Sequence, residues 1–113
     1  MALSHTLPIY IDTYKLILLL FERSSNFSRE YKYTLGQDIK RDGISLVRSI
    51  YRANRSTEKR QYLEEFLDNF EILKLEIRLC KDLKLISIKQ LAEISKRLDI
   101  IGKQATAWKN SSK

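Results

Sequence analysis

Apolar residues recur at intervals of three and four positions in several segments of the chain, which is the spacing of one face of an α-helix. The clearest row lies within residues 34–55 and consists of Leu35, Ile39, Gly43, Leu46 or Val47, Ile50 and Asn54. Residues 57–84 and 87–109 carry similar rows, whereas residues 8–25 are apolar on nearly every side. No segment of strand length alternates apolar and polar residues. The pattern therefore predicts an all-α chain with four helices over these segments.

Two of the predicted helices begin with a capping-box pattern, in which a serine or threonine precedes a glutamine by three positions. The pairs are Thr34 with Gln37 and Ser87 with Gln90. The segments between the helices are short, and short connections favour neighbouring helices that run in opposite directions. A chain of 113 residues is also the size of one domain. We therefore expect a single domain, residues 1–113, folded as an antiparallel up-down-up-down four-helix bundle.

The small numbers of histidine and cysteine residues and the missing nucleotide-binding motifs exclude several classes of enzyme and metalloprotein. One histidine and one cysteine exclude a His/Cys zinc site or a histidine-based triad within one chain, and no phosphate-loop or dinucleotide-binding motif occurs. Cys80 falls on an apolar row, which favours a buried side chain in a reducing cytoplasm. The apolar run at residues 16–21 is too short for a bilayer, which takes about 20 apolar residues. We expect a cytoplasmic protein that is not an enzyme and has no cofactor, metal site or membrane partner.

The net charge of +7 is unevenly distributed along the sequence. Residues 23–60 contain ten Lys or Arg against four acidic residues, whereas residues 61–80 contain two against five. An excess of basic over acidic residues favours nucleic acid or another polyanion as a partner. The second predicted helix is therefore the candidate interface, and an acidic helix follows it.

A row of arginines on this second helix is the main functional clue. Arg41, Arg48, Arg52 and Arg55 recur at helical spacing, with Lys32 before them, Lys59 and Arg60 after them, and Tyr51 among them. The arginine side chain pairs with phosphate through two hydrogen bonds and stacks on bases, and aromatic rings among such charges are typical of single-strand binding. The pattern predicts salt-sensitive binding to phosphates with little sequence selectivity. The alternative is a solvated helix face with the tyrosine ring in the core or at its rim.

The third predicted helix carries a second apolar row, Ile72, Leu75 and Leu79, beside its core row. One row is enough for an intrachain core, so the excess indicates either a wide apolar stripe within the bundle or an interface between subunits, and we favour the interface. The acidic residues of this helix would then be available to the basic helix of a neighbouring copy; they are Glu64, Glu65, Asp68, Glu71 and Glu76. The alternative for these acids is an ordinary solvated face.

Two short stretches of the second helix are also similar to a known family. Residues 33–39, YTLGQDI, and residues 51–55, YRANR, resemble the accessory variability determinants of diversity-generating retroelements. Those proteins belong to a broader group that includes the four-helix proteins encoded in intervening sequences of 23S ribosomal RNA. The likeness is strongest over residues 31–60.

The resemblance implies a cyclic homopentamer of four-helix bundles with a basic surface. It also implies binding to a reverse transcriptase and to RNA or DNA while template RNA is copied into mutagenised cDNA. The positions that would make these contacts are Arg41, Arg48, Arg52 and Arg55. The alternative function is a structural oligomer of the intervening-sequence type with a protein partner and no nucleic-acid role.

Overall fold

Four long α-helices form most of the chain in the computed structural model, which describes residues 3–112. After a 3-10 turn at Ser4–Thr6, the order is α1 (Pro8–Ser24), a short α2 (Arg29–Lys32), α3 (Leu35–Arg55), α4 (Lys59–Asp82) and α5 (Ile88–Ser111). No strand occurs within residues 3–112, so the prediction of an all-α fold is confirmed. Each long helix begins and ends within two residues of the segment expected for it. The sequence pattern did not predict α2.

One hydrophobic core lies between the four long helices, because each helix turns its apolar row inward. Each helix contributes fully buried side chains, among them Leu16, Leu46, Ile50, Phe66, Leu73 and Ile101. Burying one such side chain contributes about 1.5–3 kcal/mol. The main packing partners of α1 are α3 and α5, and the same two helices pack against α4. The helices therefore surround the core as a four-membered arrangement with α1 and α4 on opposite sides.

Polar contacts between neighbouring helices show which of their residues lie at the same height along the bundle. Between α1 and α5, the Gln104 amide donates to Asp12 at 2.8 Å, and the Arg23 guanidinium donates to Glu93 at 2.7 Å. Between α3 and α4, Arg52 lies 3.7 Å from Glu65. These contacts join residues early in one helix to residues late in the next.

The two predicted capping boxes have different outcomes. At the start of α5 the prediction is confirmed, because the Gln90 backbone N–H donates to the Ser87 hydroxyl at 3.0 Å and the Ser87 N–H donates to the Gln90 side chain at 2.9 Å. At the start of α3 the prediction is wrong, because Thr34 makes no side-chain cap. Its hydroxyl instead donates to the Glu30 carbonyl at 3.1 Å. The short helix α2 supplies that carbonyl in the turn just before Thr34.

The apolar run at residues 16–21 lies inside α1, where Leu16 and Leu20 are buried and Leu18 is exposed. Among residues 3–112, none of the helices combines the length and apolarity needed to cross a bilayer.

Candidate nucleic-acid interface

The arginine row lies on the outer side of α3, opposite its buried row. Positions spaced by three and four along one helix share a side, and the inner side is occupied by Ile39, Gly43, Leu46 and Ile50. Arg41, Arg48 and Arg55 are exposed, and Arg52 is half-buried. The fold therefore presents all four predicted arginines on one side of one helix.

Two of these arginines are already paired with carboxylates of the same chain. Arg41 lies 3.1 Å from Asp38 and 3.6 Å from Asp42 on its own helix, and Arg52 reaches Glu65 of α4. Exposed ion pairs of this kind contribute only about 0–1 kcal/mol. A phosphate could displace them, but their charge is partly neutralised before any partner arrives.

Arg48 and Arg55 are different, because no carboxylate oxygen of residues 3–112 lies within 4.0 Å of either guanidinium. Both side chains are exposed on α3, seven positions apart, which is about 10 Å along a helix. They are the cations of the predicted row that are best placed to bind an anion.

The predicted cations Lys59, which is half-buried, and Arg60, which is exposed, both bond to groups of the same chain. The Lys59 ammonium donates to the carbonyls of Ala53 and Asn54 at 2.9 and 3.0 Å, where the last turn of α3 leaves carbonyls without helical partners. Arg60 donates to the Lys109 carbonyl at 3.2 Å and lies 3.5 Å from Glu64. Sequence spacing does not reveal this role, because it depends on how the chain turns after Arg55.

Tyr51 lies at the rim of the core, in contact with α1. Its ring centroid is 5.8 Å from that of Tyr10, and the two hydroxyls are 3.5 Å apart. That hydrogen bond raises the pKa of Tyr10 above its ordinary value. The Tyr51 ring is also exposed beside Arg48 and Arg55, so it packs at the rim and still offers a face for stacking. Lys32 is half-buried on α2, which precedes the arginine row.

A groove between α1 and α3 adds apolar surface beside the arginine row. It has a volume of about 370 Å³, and its walls are Phe21, Gln37, Lys40, Arg41, Ile44, Ser45 and Arg48. The Lys40 ammonium lies 5.3 Å from the centroid of the Phe21 ring, a favourable cation–π distance. Periodicity within α3 could not find this groove, since one of its walls comes from another helix.

A carboxyl pair joins α3 to α4 behind the arginine row. Burial raises the pKa of Glu76 to about 8, with further contributions from a hydrogen bond to Asp42 and from the negative charges of Asp42 and Asp38, while Arg41 opposes the shift. Within residues 3–112 no group of three or more potential ligands could hold a metal ion. The raised pKa of Glu76 makes the charge of this carboxyl pair depend on pH near neutrality.

Cys80 is buried in the core, and burial is the main cause that raises the pKa of its thiol to about 12. The negative charge of Glu76 adds to that shift. The thiol is protonated near neutral pH, as expected for a packing residue.

The apolar row predicted on α4 is on the surface. Ile72, Leu75 and Leu79 are all exposed. The sequence did not indicate a comparable row on α1, which consists of Ile11, Tyr14, Leu18 and Phe21 and is also exposed. Because α1 is apolar on nearly every side, its sequence pattern cannot separate an outer row from the core.

Comparison with protein-family models matches the bAvd-like family over residues 9–112. The match covers nearly the whole chain, so this chain belongs to the bAvd-like family, the accessory variability determinants of diversity-generating retroelements. The resemblance inferred from residues 33–39 and 51–55 is thereby confirmed. No curated protein matched the chain.

Proposed function

We propose that this member of the bAvd-like family is a non-catalytic accessory protein that binds nucleic acid and the reverse transcriptase of a diversity-generating retroelement. It would support the copying of template RNA into mutagenised cDNA in the cytoplasm. The observation that carries the proposal is the pair of exposed arginines on α3, Arg48 and Arg55, which lack carboxylate partners in residues 3–112. Family membership supplies the setting in which a polyanion would meet them.

In the proposed complex, Arg48 and Arg55 pair with phosphates along one strand. Arg41 and Arg52 exchange their internal carboxylates for phosphates as the strand arrives, which costs little because exposed ion pairs are weak. The Tyr51 ring and the exposed Ile44 side chain, which lines the α3 wall of the groove, offer apolar surface for bases. Such contacts are made to the backbone and to base faces, so they suit an accessory protein that must tolerate many template sequences.

The fold that presents this surface is proposed to be an antiparallel up-down-up-down four-helix bundle. The contact of Gln104 with Asp12 and that of Arg23 with Glu93 support it for α1 and α5, since the residue numbers rise in one helix as they fall in the other. The exposed α4 row supports assembly with further copies of the chain. Following the resemblance, we propose a cyclic homopentamer.

The test is a titration of fluorescent single-stranded RNA and duplex DNA across a salt series. We expect Arg48→Glu/Arg55→Glu to lose at least about tenfold in affinity and to show a shallower salt dependence, since each single-strand phosphate contact contributes a slope of about 0.7. The matched control is Lys89→Glu/Lys103→Glu, which makes the same change in charge at exposed positions of α5. Its affinity should change less than that of the α3 variant. Equal losses in both variants would attribute binding to total charge and would contradict the assignment to α3.

The second candidate function is a structural oligomer that binds a protein and no nucleic acid. The exposed acids of α4 favour it, because Glu64, Asp68 and Glu71 could meet a basic helix of a neighbouring copy. Absence of RNA and DNA binding at low salt, together with recovery of the reverse transcriptase from a co-expression, would select this alternative. High salt should dissociate such an oligomer, whereas in the preferred function it should release only nucleic acid.

A further inference from the structure

The surface carries two apolar rows on helices that lie on opposite sides of the core. On α1 the row is Ile11, Tyr14, Leu18 and Phe21, and on α4 it is Ile72, Leu75 and Leu79. Each of these side chains is between 41% and 55% exposed. Both rows have alternating spacings of three and four residues, which is the spacing of a seam between two packed helices.

We infer that the α1 row of one copy packs against the α4 row of a second copy, so that the subunits assemble head to tail. This inference rests on the self-assembly proposed above and assigns the two surfaces that meet. A two-fold dimer requires the same surface on both subunits. Two different surfaces on opposite sides of a subunit instead join successive copies head to tail, and such a series of copies can close into a ring. Two independent features of the chain support the pairing: the heights of the rows and the charges beside them.

The positions of α1 and α4 along the bundle axis can first be compared through their contacts with α5. Gln104 bonds to Asp12 of α1, and Gly102 lies against the Phe70 ring of α4. Because α4 and α5 run in opposite directions in the proposed bundle, Asp12 lies level with about residue 68 of α4 at 1.5 Å per residue. Leu18 is six positions further along α1, which places it level with about residue 74, next to Leu75.

The positions of α1 and α4 along the bundle axis can also be compared through their contacts with α3, and the result agrees with the first comparison. Lys40 lies over the Phe21 ring, and Asp42 interacts with Glu76. Phe21 is therefore level with about residue 78 of α4, next to Leu79. In a ring whose axis follows the helices, neighbouring copies meet at equal heights. Leu18 and Phe21 satisfy this condition with Leu75 and Leu79. Ile11 and Tyr14 lie level with about residues 67 and 70, just before the α4 row begins.

Charges beside the two rows are complementary at the same heights. Lys15 and Glu22 are exposed beside the α1 row, one heptad apart, and Glu71 and Arg78 are exposed beside the α4 row, also one heptad apart. The offset of about 56 residues between level positions of α1 and α4 matches Lys15 with Glu71 and Glu22 with Arg78.

These flanking charges also lie on the same side of each row. Glu71 borders the groove between α4 and α5, and Lys15 follows Asp12, which contacts α5, by three positions. Among residues 3–112, the Glu71 carboxylate has only an exposed pair with Lys74 at 3.2 Å and the Glu22 carboxylate only a pair with Arg23 at 3.8 Å. The partner that fits the α1 face is therefore a helix with an exposed apolar row. Beside that row it carries an acidic residue and, seven positions later, a basic residue. The α4 helix of a second copy has this chemistry.

The decisive experiment measures mass by light scattering for Leu18→Lys, Leu75→Lys and their equimolar mixture, without nucleic acid. Each variant alone should be a single chain of 13.4 kDa, because each lacks one of the two faces. The mixture should form pairs of chains, since Leu75→Lys retains the α1 face and Leu18→Lys retains the α4 face. Ile100→Lys is the matched control on α5, where an exposed apolar residue is replaced outside the seam, and it should keep the wild-type mass.

A charge exchange provides a second test that leaves the apolar rows unchanged. Lys15→Glu and Glu71→Lys should each raise the dissociation constant of the assembly roughly tenfold, because like charges then face each other. The double variant should return close to the wild-type value. A double variant weaker than either single variant would overturn the pairing.

The outcomes separate the seam from the proposed function. A wild-type protein that is a single chain would overturn self-assembly itself, whatever the variants do. A wild-type oligomer that survives Leu18→Lys, or two monomeric variants that do not associate on mixing, would overturn the α1–α4 seam alone. Nucleic-acid binding is measured separately and does not decide either result.

Discussion

The inner and outer sides of α3 belong to the same 21-residue helix, yet they have opposite physical roles. On the inner side Ile39, Leu46 and Ile50 are completely or almost completely buried. On the outer side Arg48 and Arg55 are exposed and have no carboxylate partner in residues 3–112. Stability resides on one side, whereas the charge that could attract a partner resides on the other. A contribution to folding stability therefore does not account for the exposed arginines of the outer side.

The magnitudes support this separation. A buried aliphatic side chain contributes about 1.5–3 kcal/mol to folding, whereas an exposed ion pair contributes about 0–1 kcal/mol. The outer arginines can therefore be replaced with little effect on the fold. Substitutions on the inner side should reduce stability without altering affinity for nucleic acid in the protein that remains folded.

The largest effect is expected for Ile50→Ala on the inner side. The residue is fully buried, so the substitution should lower the free energy of unfolding by about 2–5 kcal/mol through lost burial and the cavity it leaves. Chemical denaturation followed by circular dichroism measures this change. RNA affinity measured well below the unfolding transition should equal that of the wild type. A loss of RNA affinity in the folded variant would contradict the assignment of stability to the inner side of α3 and of nucleic-acid binding to the outer side.

A smaller, pH-dependent effect is expected at Glu76, where α4 meets the side of α3. The pKa of Glu76 is about 8 in the folded protein against an ordinary value of 4.5, so between these values the folded state holds a proton that the unfolded state releases. The contribution of Glu76 to the free energy of unfolding is therefore fully present below about pH 4.5 and is lost as the pH rises through 8. The loss should be on the order of 1 kcal/mol, because the partial exposure of the carboxyl reduces the effect.

Thermal unfolding at pH 5 and pH 8.5 tests this expectation. Glu76→Gln should remove most of the pH dependence, because the amide stays neutral throughout. Asp42→Asn is the matched partner substitution, since Asp42 is the hydrogen-bonding group that contributes to the shift. An unchanged pH dependence in Glu76→Gln would assign it to other groups.

The smallest effects are expected at the helix starts, where α3 and α5 share a sequence pattern but differ in structure. Ser87→Ala removes an observed cap and should lower the free energy of unfolding by about 1 kcal/mol. Thr34→Ala should cost only a few tenths of that, because the Thr34 hydroxyl bonds backward to Glu30 and caps no helix. Parallel denaturation curves compare the two. An equal cost would mean that Thr34 stabilises α3 as a cap in solution.

Much of the fold could be predicted from the periodic apolar rows. The row of α3 identified its buried side because 3.6 residues per turn bring such positions together. The cap at Ser87 was also predictable, since it requires only the residues of one turn. The cap at Thr34 was not, because the competing carbonyl belongs to the helix α2, which the pattern did not reveal.

The candidate site was predictable in part. Spacing alone placed four arginines on one side of α3. It did not show that Arg41 and Arg52 have carboxylate partners, or that Lys59 bonds to the carbonyls that end α3. Nor did it show the groove beside Phe21 and Ile44 or the outer row of α1.

The helices, their buried rows and the arginine row follow from the order of residues along the chain, because each depends on residues within a few turns of one helix. Which cations are available to a partner, and which apolar rows remain uncovered, became clear only from the packing of the helices. Those properties depend on the residues that a neighbouring helix brings within a few ångströms, as Glu65 of α4 is brought to Arg52. No spacing within a single helix contains that information.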